Sequence, residues 1–170
     1  MWFTFLLILL FLVILSAAYA GFKGAPWVPT YKKDITRIIK IAQIKAEDNF
    51  YDLGCGDGRV VAAAAKAGAK CFGYEISILP YLIAKLRTFR LKNAHIYFKN
   101  YNSADLSKAD IVYLFLMPKI NIQIKDKLMQ TMKKNAKVIA YIWPIPGWQP
   151  ASVSQEEGGS KVFLYRIRKD

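Results

Sequence analysis

The chain has 170 residues, 54% of them hydrophobic, with 25 Lys and Arg against 12 Asp and Glu, a formal charge of +13. That length allows one ordinary domain and enough apolar side chains for a core, which leaves little room for a second. The basic charge suits an anionic leaflet or simply a solvated surface, while scattered lysines without a recognition motif argue against nucleic acid as a partner.

From Trp2 to Ala20 there is no charged residue. As a helix this run matches the thickness of a bilayer's hydrocarbon core, so residues 1–20 are expected to form one transmembrane anchor. Ala18-Tyr19-Ala20 also fits a signal-peptide cleavage site, but Lys23, Lys32, Lys33 and Arg37 follow the run and no basic residue precedes it. That asymmetry favours a retained single-pass anchor with the N-terminus outside and the remainder cytoplasmic. Trp2 and Phe3 at one end, and Tyr19, Phe22 and Trp27 at the other, would suit the two interfaces.

Residues 21–30, "GFKGAPWVPT", read as a connector that breaks the helix, and 31–170 as the main domain. Ile35, Ile38, Ile39 and Ala42 recur at helical spacing within "YKKDITRIIKIAQIKAED", an amphipathic helix that Thr30 can cap. Strand and helix signals then alternate: strand 50–53, helix 59–67, strand 70–74, helix 78–91, strand 94–98, strand 110–117, helix 119–133 and strand 136–143. This series predicts an α/β fold, a Rossmann-like doubly wound and mostly parallel sheet. "EEGGS" at 156–160 separates two extended runs, which predicts a C-terminal antiparallel hairpin with 161–167 as its stronger strand.

In such a sheet ligands bind beyond the carboxyl ends of the strands. Gly54, Gly56 and Gly58 lie at the end of the first strand, where glycine lets a backbone approach a ligand and the next helix N-terminus favours an anion. Glu75 closes the neighbouring strand, where a carboxylate can accept from two vicinal ribose hydroxyls. The plainer alternative is a tight turn and a solvated strand end. A dinucleotide fingerprint requires G-x-G-x-x-G, and Arg59 stands at the third position. His95 begins a strand at the opposite end of the sheet and reads as a surface or packing residue. No Cys/His cluster suggests a metal. Cys55 in the glycine turn and Cys71 at the start of the second strand lie too far apart for a disulfide, which agrees with a reducing compartment.

"DLGCGDGR" resembles the first motif of the class I S-adenosylmethionine-dependent methyltransferases, and the resemblance covers most of residues 49–170. It implies that fold with S-adenosyl-L-methionine as cofactor: Gly54, Cys55, Gly56 and Gly58 along its methionine portion, Asp52 orienting its amino group, and Glu75 on the ribose. It also implies Ile76 against the adenine, with Asn100 or Tyr101 near the adenine's amino edge. Together with the apolar N-terminus, "APWVPT", "LFLMP" and "VIAYIWPIPGW" resemble the small membrane-anchored protein-lysine methyltransferases, whose mitochondrial members modify the c-ring protein of ATP synthase and the adenine nucleotide translocase. The fourth strand lacks the (Asp/Asn)-Pro-Pro-aromatic signature of nucleic-acid amino-methylating enzymes.

The expected reaction is in-line methyl transfer to a lysine of a membrane or membrane-associated protein, with no dedicated base. An apolar channel would favour the neutral amine, and Met117, Pro118, Trp143, Pro144, Pro146 and Trp148, after the fourth and fifth strands, are its expected walls. Methylation of a lipid or small hydrophobic metabolite, and a non-catalytic cofactor-binding scaffold, remain as alternatives.

Overall fold

The computed structural model describes residues 2–23 and 27–169, without the side chains at 9, 17, 20, 22 and 23. The expectations for Gly24, Ala25 and Pro26, and for the side chains of Ala20, Phe22 and Lys23, lie outside the described residues. After helix α1 (Trp2–Lys23) and helix α2 (Lys32–Ala42), strands β1 (Asn49–Leu53), β2 (Lys70–Glu75) and β3 (Ala94–Phe98) alternate with α3 (Arg59–Lys66) and α4 (Ile78–Thr88). β4 (Ile111–Leu114), α5 (Pro118–Thr131), β5 (Lys137–Tyr141), β6 (Ser152–Ser154) and β7 (Val162–Arg166) complete the chain.

The strands form one sheet in the order β3-β2-β1-β4-β5-β7-β6. The first five are parallel, while β7 pairs antiparallel with both β5 and β6. The chain reverses between β1 and β4, and this switch point opens the sheet where the glycine turn follows β1. Alternation along the central strands sorts side chains to two faces. Ile111, Tyr113, Ile139 and Tyr141 meet α2, α3 and α4 on one side, whereas Val112, Leu114, Val138 and Ala140 meet α5 on the other.

The N-terminal segment corrects one expectation. Among the described residues no helix is long and apolar enough to cross a membrane, which overturns the expected transmembrane anchor. α1 is instead docked on the domain: it packs against α4, and Ser16 Oγ accepts a hydrogen bond of 2.9 Å from the Ile78 backbone N–H. A helix tied in that way would draw the first turn of α4 towards hydrocarbon, at the cost of desolvating its backbone donors.

Several element ends also differ from the sequence reading. α2 begins after Tyr31, with no side-chain cap, because the Thr30 hydroxyl is turned inward to Tyr113. It stops at Ala42 rather than running to Asp48, since Gln43 turns left-handed at φ 48° and the Asp48 carboxylate accepts from the Lys45 N–H at 2.8 Å. Lys137 Nζ donates to the Ala42 carbonyl at 2.6 Å, satisfying one of the orphan acceptors at that helix end. α4 ends at Thr88, three residues before the expected Leu91. β4 ends at Leu114 rather than Met117, and β5 at Tyr141 rather than Trp143, since Ile142 takes φ 66°.

α2 is pinned to the C-terminal hairpin by a buried charge. Asp34 Oδ1 accepts from Arg37 Nη2 at 2.7 Å, and Oδ2 accepts from the Tyr141 hydroxyl at 2.7 Å and the Ser160 N–H at 3.2 Å. Arg37 also donates to the Ser160 carbonyl, while its Nε and Nη1 have no hydrogen-bond partner. Burial alone would raise the Asp34 carboxyl; the Tyr141 and Ser160 bonds and the Arg37 charge outweigh it and hold the group below its ordinary 3.8. Stability from this depressed value is present above pH 3.8 and is lost as pH falls through the folded-state value. Arg37→Met leaves Asp34 buried without its cation and should cost about 3–5 kcal/mol in urea unfolding. Asp34→Leu combined with Arg37→Met should restore part of that loss, since no uncompensated charge remains.

Candidate functional site

The glycine turn is shaped by β1 and β2 together. Leu53 lies in register with Tyr74, and the Tyr74 carbonyl accepts from both the Gly54 and Cys55 N–H groups at 2.9 Å. Gly56, at φ 53°, then presents its own N–H to Glu75 Oε2 at 2.8 Å. Glu75 Oε1 accepts from the Ile76 N–H at 2.8 Å and the Ser77 N–H at 2.7 Å. Three backbone donors therefore orient this carboxylate, and the lone pair left on Oε2 can still accept from a ligand.

The cleft above the turn encloses about 720 Å³ of non-protein space, solvent at its mouth included. Of the residues singled out from sequence, Asp52, Gly54, Cys55, Gly56, Glu75, Ile76 and Tyr101 all line it. Gly58 and Asn100 are not among the lining residues. A Cβ at Gly58 would come within 2.8 Å of the Ala84 Cβ, so this glycine serves the close packing of α3 on α4. Asn100 spends its side-chain oxygen on the Asn102 N–H at 2.8 Å, capping the short 3₁₀ turn Tyr101–Ser103 that carries Tyr101 into the wall.

The six expected channel residues stand outside this wall. Met117 and Pro118 begin α5. Trp143 to Trp148 fold back on the far side: Asn121 Nδ2 donates to the Trp143 carbonyl at 3.3 Å, the Ile145 N–H donates to the Tyr165 hydroxyl at 3.0 Å, and Trp148 stands edge-on to Tyr165 at 5.7 Å. Phe115 and Leu116, directly after β4, and Trp27, Val28, Pro29 and Thr30 from the connector line the cleft. Of "LFLMP", Phe115 and Leu116 follow the end of β4 and face the cleft, while Met117 caps α5 and Pro118 begins it. For Trp27 the only sequence signal is its place in "APWVPT", and nothing local brings that segment to the sheet.

The electrostatics favour a cationic ligand carrying hydroxyl groups. Asp52, Asp57 and Glu75 converge on the cleft within a basic chain. Asp52 is 2% exposed and its Oδ1 has no hydrogen-bond partner, an orphaned acceptor beside the glycine turn. Burial, then the Glu75 and Asp57 charges, push its carboxyl well above the usual range. An ammonium placed there would satisfy the oxygen and remove the repulsion. Burial likewise pushes up the Cys55 thiol, which makes it a packing group and not a nucleophile. Asp57 differs: burial opposes its ionisation, yet Arg59 and Arg87 hold it below the usual value.

These features fit S-adenosylmethionine, with an acceptor for its amino group at Asp52, a side-chain-free floor at Gly56 and a ribose acceptor at Glu75. Residues 52–152 match the ANTKMT methyltransferase domain family. The chain is 35% identical over 150 residues to a protein-lysine N-methyltransferase of Saccharolobus islandicus, covering 84% of this chain and 93% of that one. It is 32% identical over 145 residues to the human ATP synthase C-subunit lysine N-methyltransferase, where the match takes in 82% of this chain but only 60% of the human protein. An RNA methyltransferase from Salinibacter ruber, solved with S-adenosyl-L-homocysteine, superposes with a TM-score of 0.80 at 28% identity over 84% of this chain and 95% of that one. The chain thus belongs to the ANTKMT methyltransferase domain family, a class I, S-adenosylmethionine-dependent protein-lysine N-methyltransferase family.

Proposed function

We propose that this chain methylates the side-chain amine of a lysine in a protein substrate presented at the mouth of the cleft. The observation that carries the reading is the wall itself: an acidic floor of Asp52 and Glu75 faces an apolar rim of Trp27, Val28, Phe115 and Leu116. Bound S-adenosylmethionine supplies a methyl group already activated on a sulfonium. Asp52 and Glu75 would hold the amino group and ribose, and the glycine turn would take the methionine portion once the Trp27 ring, which rests on Gly56, moves aside. The apolar rim strips water from an entering lysine and favours its neutral form, so that no dedicated base is needed. The names of the archaeal and human relatives support lysine as the acceptor. A reducing, cytoplasmic setting for the domain is part of the same proposal, supported by two free and buried cysteines.

Two measurements test these roles. Asp52→Asn keeps the shape and removes a buried charge that costs stability at any pH above the ordinary carboxylate value. The ligand-free variant should therefore melt a few degrees higher at pH 8 and show little gain at pH 4, since about 1 kcal/mol moves the midpoint of a chain this size by roughly 2–4 °C. The same variant should bind S-adenosylhomocysteine about tenfold or more weakly in calorimetry, the usual effect of losing a charge-assisted hydrogen bond. For the reaction, labelled methyl from S-adenosylmethionine is offered to membrane and soluble fractions of cells lacking the protein. The label should appear as methyl-lysine in protein hydrolysates and vanish with Glu75→Ala; label extracted only into organic solvent would instead establish a lipid or small-molecule acceptor.

A further inference from the structure

The four residues before α2 and its N-cap are more than a connector. Trp27, Val28 and Pro29 are exposed on their outer side, Thr30 is buried, and all four line the cofactor cleft. The Trp27 ring lies directly over the glycine turn: a Cβ at Gly56 would meet its Nε1 at 2.8 Å. Two hydrogen bonds hold the segment down. Arg59 Nη1 donates to the Thr30 carbonyl at 2.9 Å, and the Thr30 hydroxyl bonds the Tyr113 hydroxyl at 2.9 Å inside the protein.

Arg59 itself has little freedom. Its Nε donates to Asp57 Oδ1 and Oδ2 at 2.9 and 3.0 Å, and its Nη2 to Oδ2 at 2.6 Å. Asp57 is fixed in turn by Arg87, whose Nη2 reaches Oδ2 at 2.8 Å and whose Nε reaches the Asp57 carbonyl at 2.8 Å. With its other nitrogens committed to Asp57, the Arg59 fork aims Nη1 at Thr30. A planar fork holds an aspartate with parallel bonds and fixes the direction of its remaining donor toward the carbonyl, whereas an ammonium is a point charge with no such fixed direction.

We infer that Arg59 is a positioning residue that latches Trp27–Thr30 as a strap across the cofactor cleft, so that Trp27 covers the bound cofactor and the strap lifts for S-adenosylhomocysteine to leave. Because the latch stands on the first residue of α3, the loop that cradles the cofactor and the cover over it move as one unit when the cleft is closed. The inference rests on the cofactor and not on which amine accepts the methyl group, so a failure of the lysine reading would leave it standing.

The test is release of S-adenosylhomocysteine from the full chain by stopped flow, with amide hydrogen exchange over residues 28–31 and over α3. Arg59→Gln and Trp27→Ala should each speed release about tenfold, the scale of one charge-assisted hydrogen bond. The double variant should be no faster than the faster single one, because both open the same strap. Arg59→Lys, which keeps the charge and loses the fork, should behave as Arg59→Gln, and exchange should rise at Val28, Thr30 and Tyr31 while α3 stays protected. Thr30→Val provides a second route: it cuts the Tyr113 tether without touching the Asp57–Arg59 pair and should also speed release. Unchanged release in Arg59→Gln and Thr30→Val, multiplying effects in the double variant, or equal loss of protection in α3 would each overturn the latch.

Discussion

The Glu75 carboxylate is the joint on which the site depends. It ends β2 and collects the N–H groups of Gly56, Ile76 and Ser77, so the turn after β1 and the turn after β2 are fastened to one side chain. Such charge-assisted bonds are roughly twice as strong as neutral ones, and here they work beside the sheet's own pairing, since the Tyr74 carbonyl takes the Gly54 and Cys55 N–H groups. The parallel register of β1 and β2 makes this possible by bringing the glycine turn level with the end of β2. The floor of the cleft, its carboxylate and the first turn of α3 are then consequences of one geometry.

The same region concentrates negative charge in a chain that is strongly basic overall. Asp52 is buried with one oxygen unpartnered, which costs stability in the ligand-free chain. Asp57 is spared that cost by two arginines. Its neutralisation is structural, and it converts a second acid at the cleft into the anchor of an ion-pair chain that runs from α4 through α3 to the segment before α2. Asp34 and Arg37 do comparable work between α2 and the C-terminal hairpin. In both places a buried acid fixes an element that hydrophobic packing alone would leave free to slide.

Much of the floor of the cleft is legible in the residues. Asp52, Gly54, Gly56 and Glu75 belong to two strand ends and one tight turn, features set by neighbours close in sequence, and the strand order follows once they are placed at a switch point. The rest of the cleft is less legible. Its walls depend on where β4 and β5 stop, and an apolar strand gives no sign of its last paired residue: Phe115 and Met117 look alike in sequence, yet only Phe115 reaches the cleft. Ile142 at positive φ sends the proline- and tryptophan-rich loop towards Asn121 and Tyr165, a backbone choice that a β-branched residue does not announce. Composition alone suggests an anchor at the N-terminus, and composition does not register that Ser16 bonds to α4.

The sequence by itself determined the alternation of strands and helices, the glycine turn and the acid that answers it, because periodicity and turn chemistry act over a few residues. Only the tertiary structure decided which aromatic residues enclose the cleft and that Trp27 closes over Gly56. Those contacts join segments about thirty residues or more apart, Thr30 to Arg59 and to Tyr113, and their energies exist only after the sheet has brought their partners together.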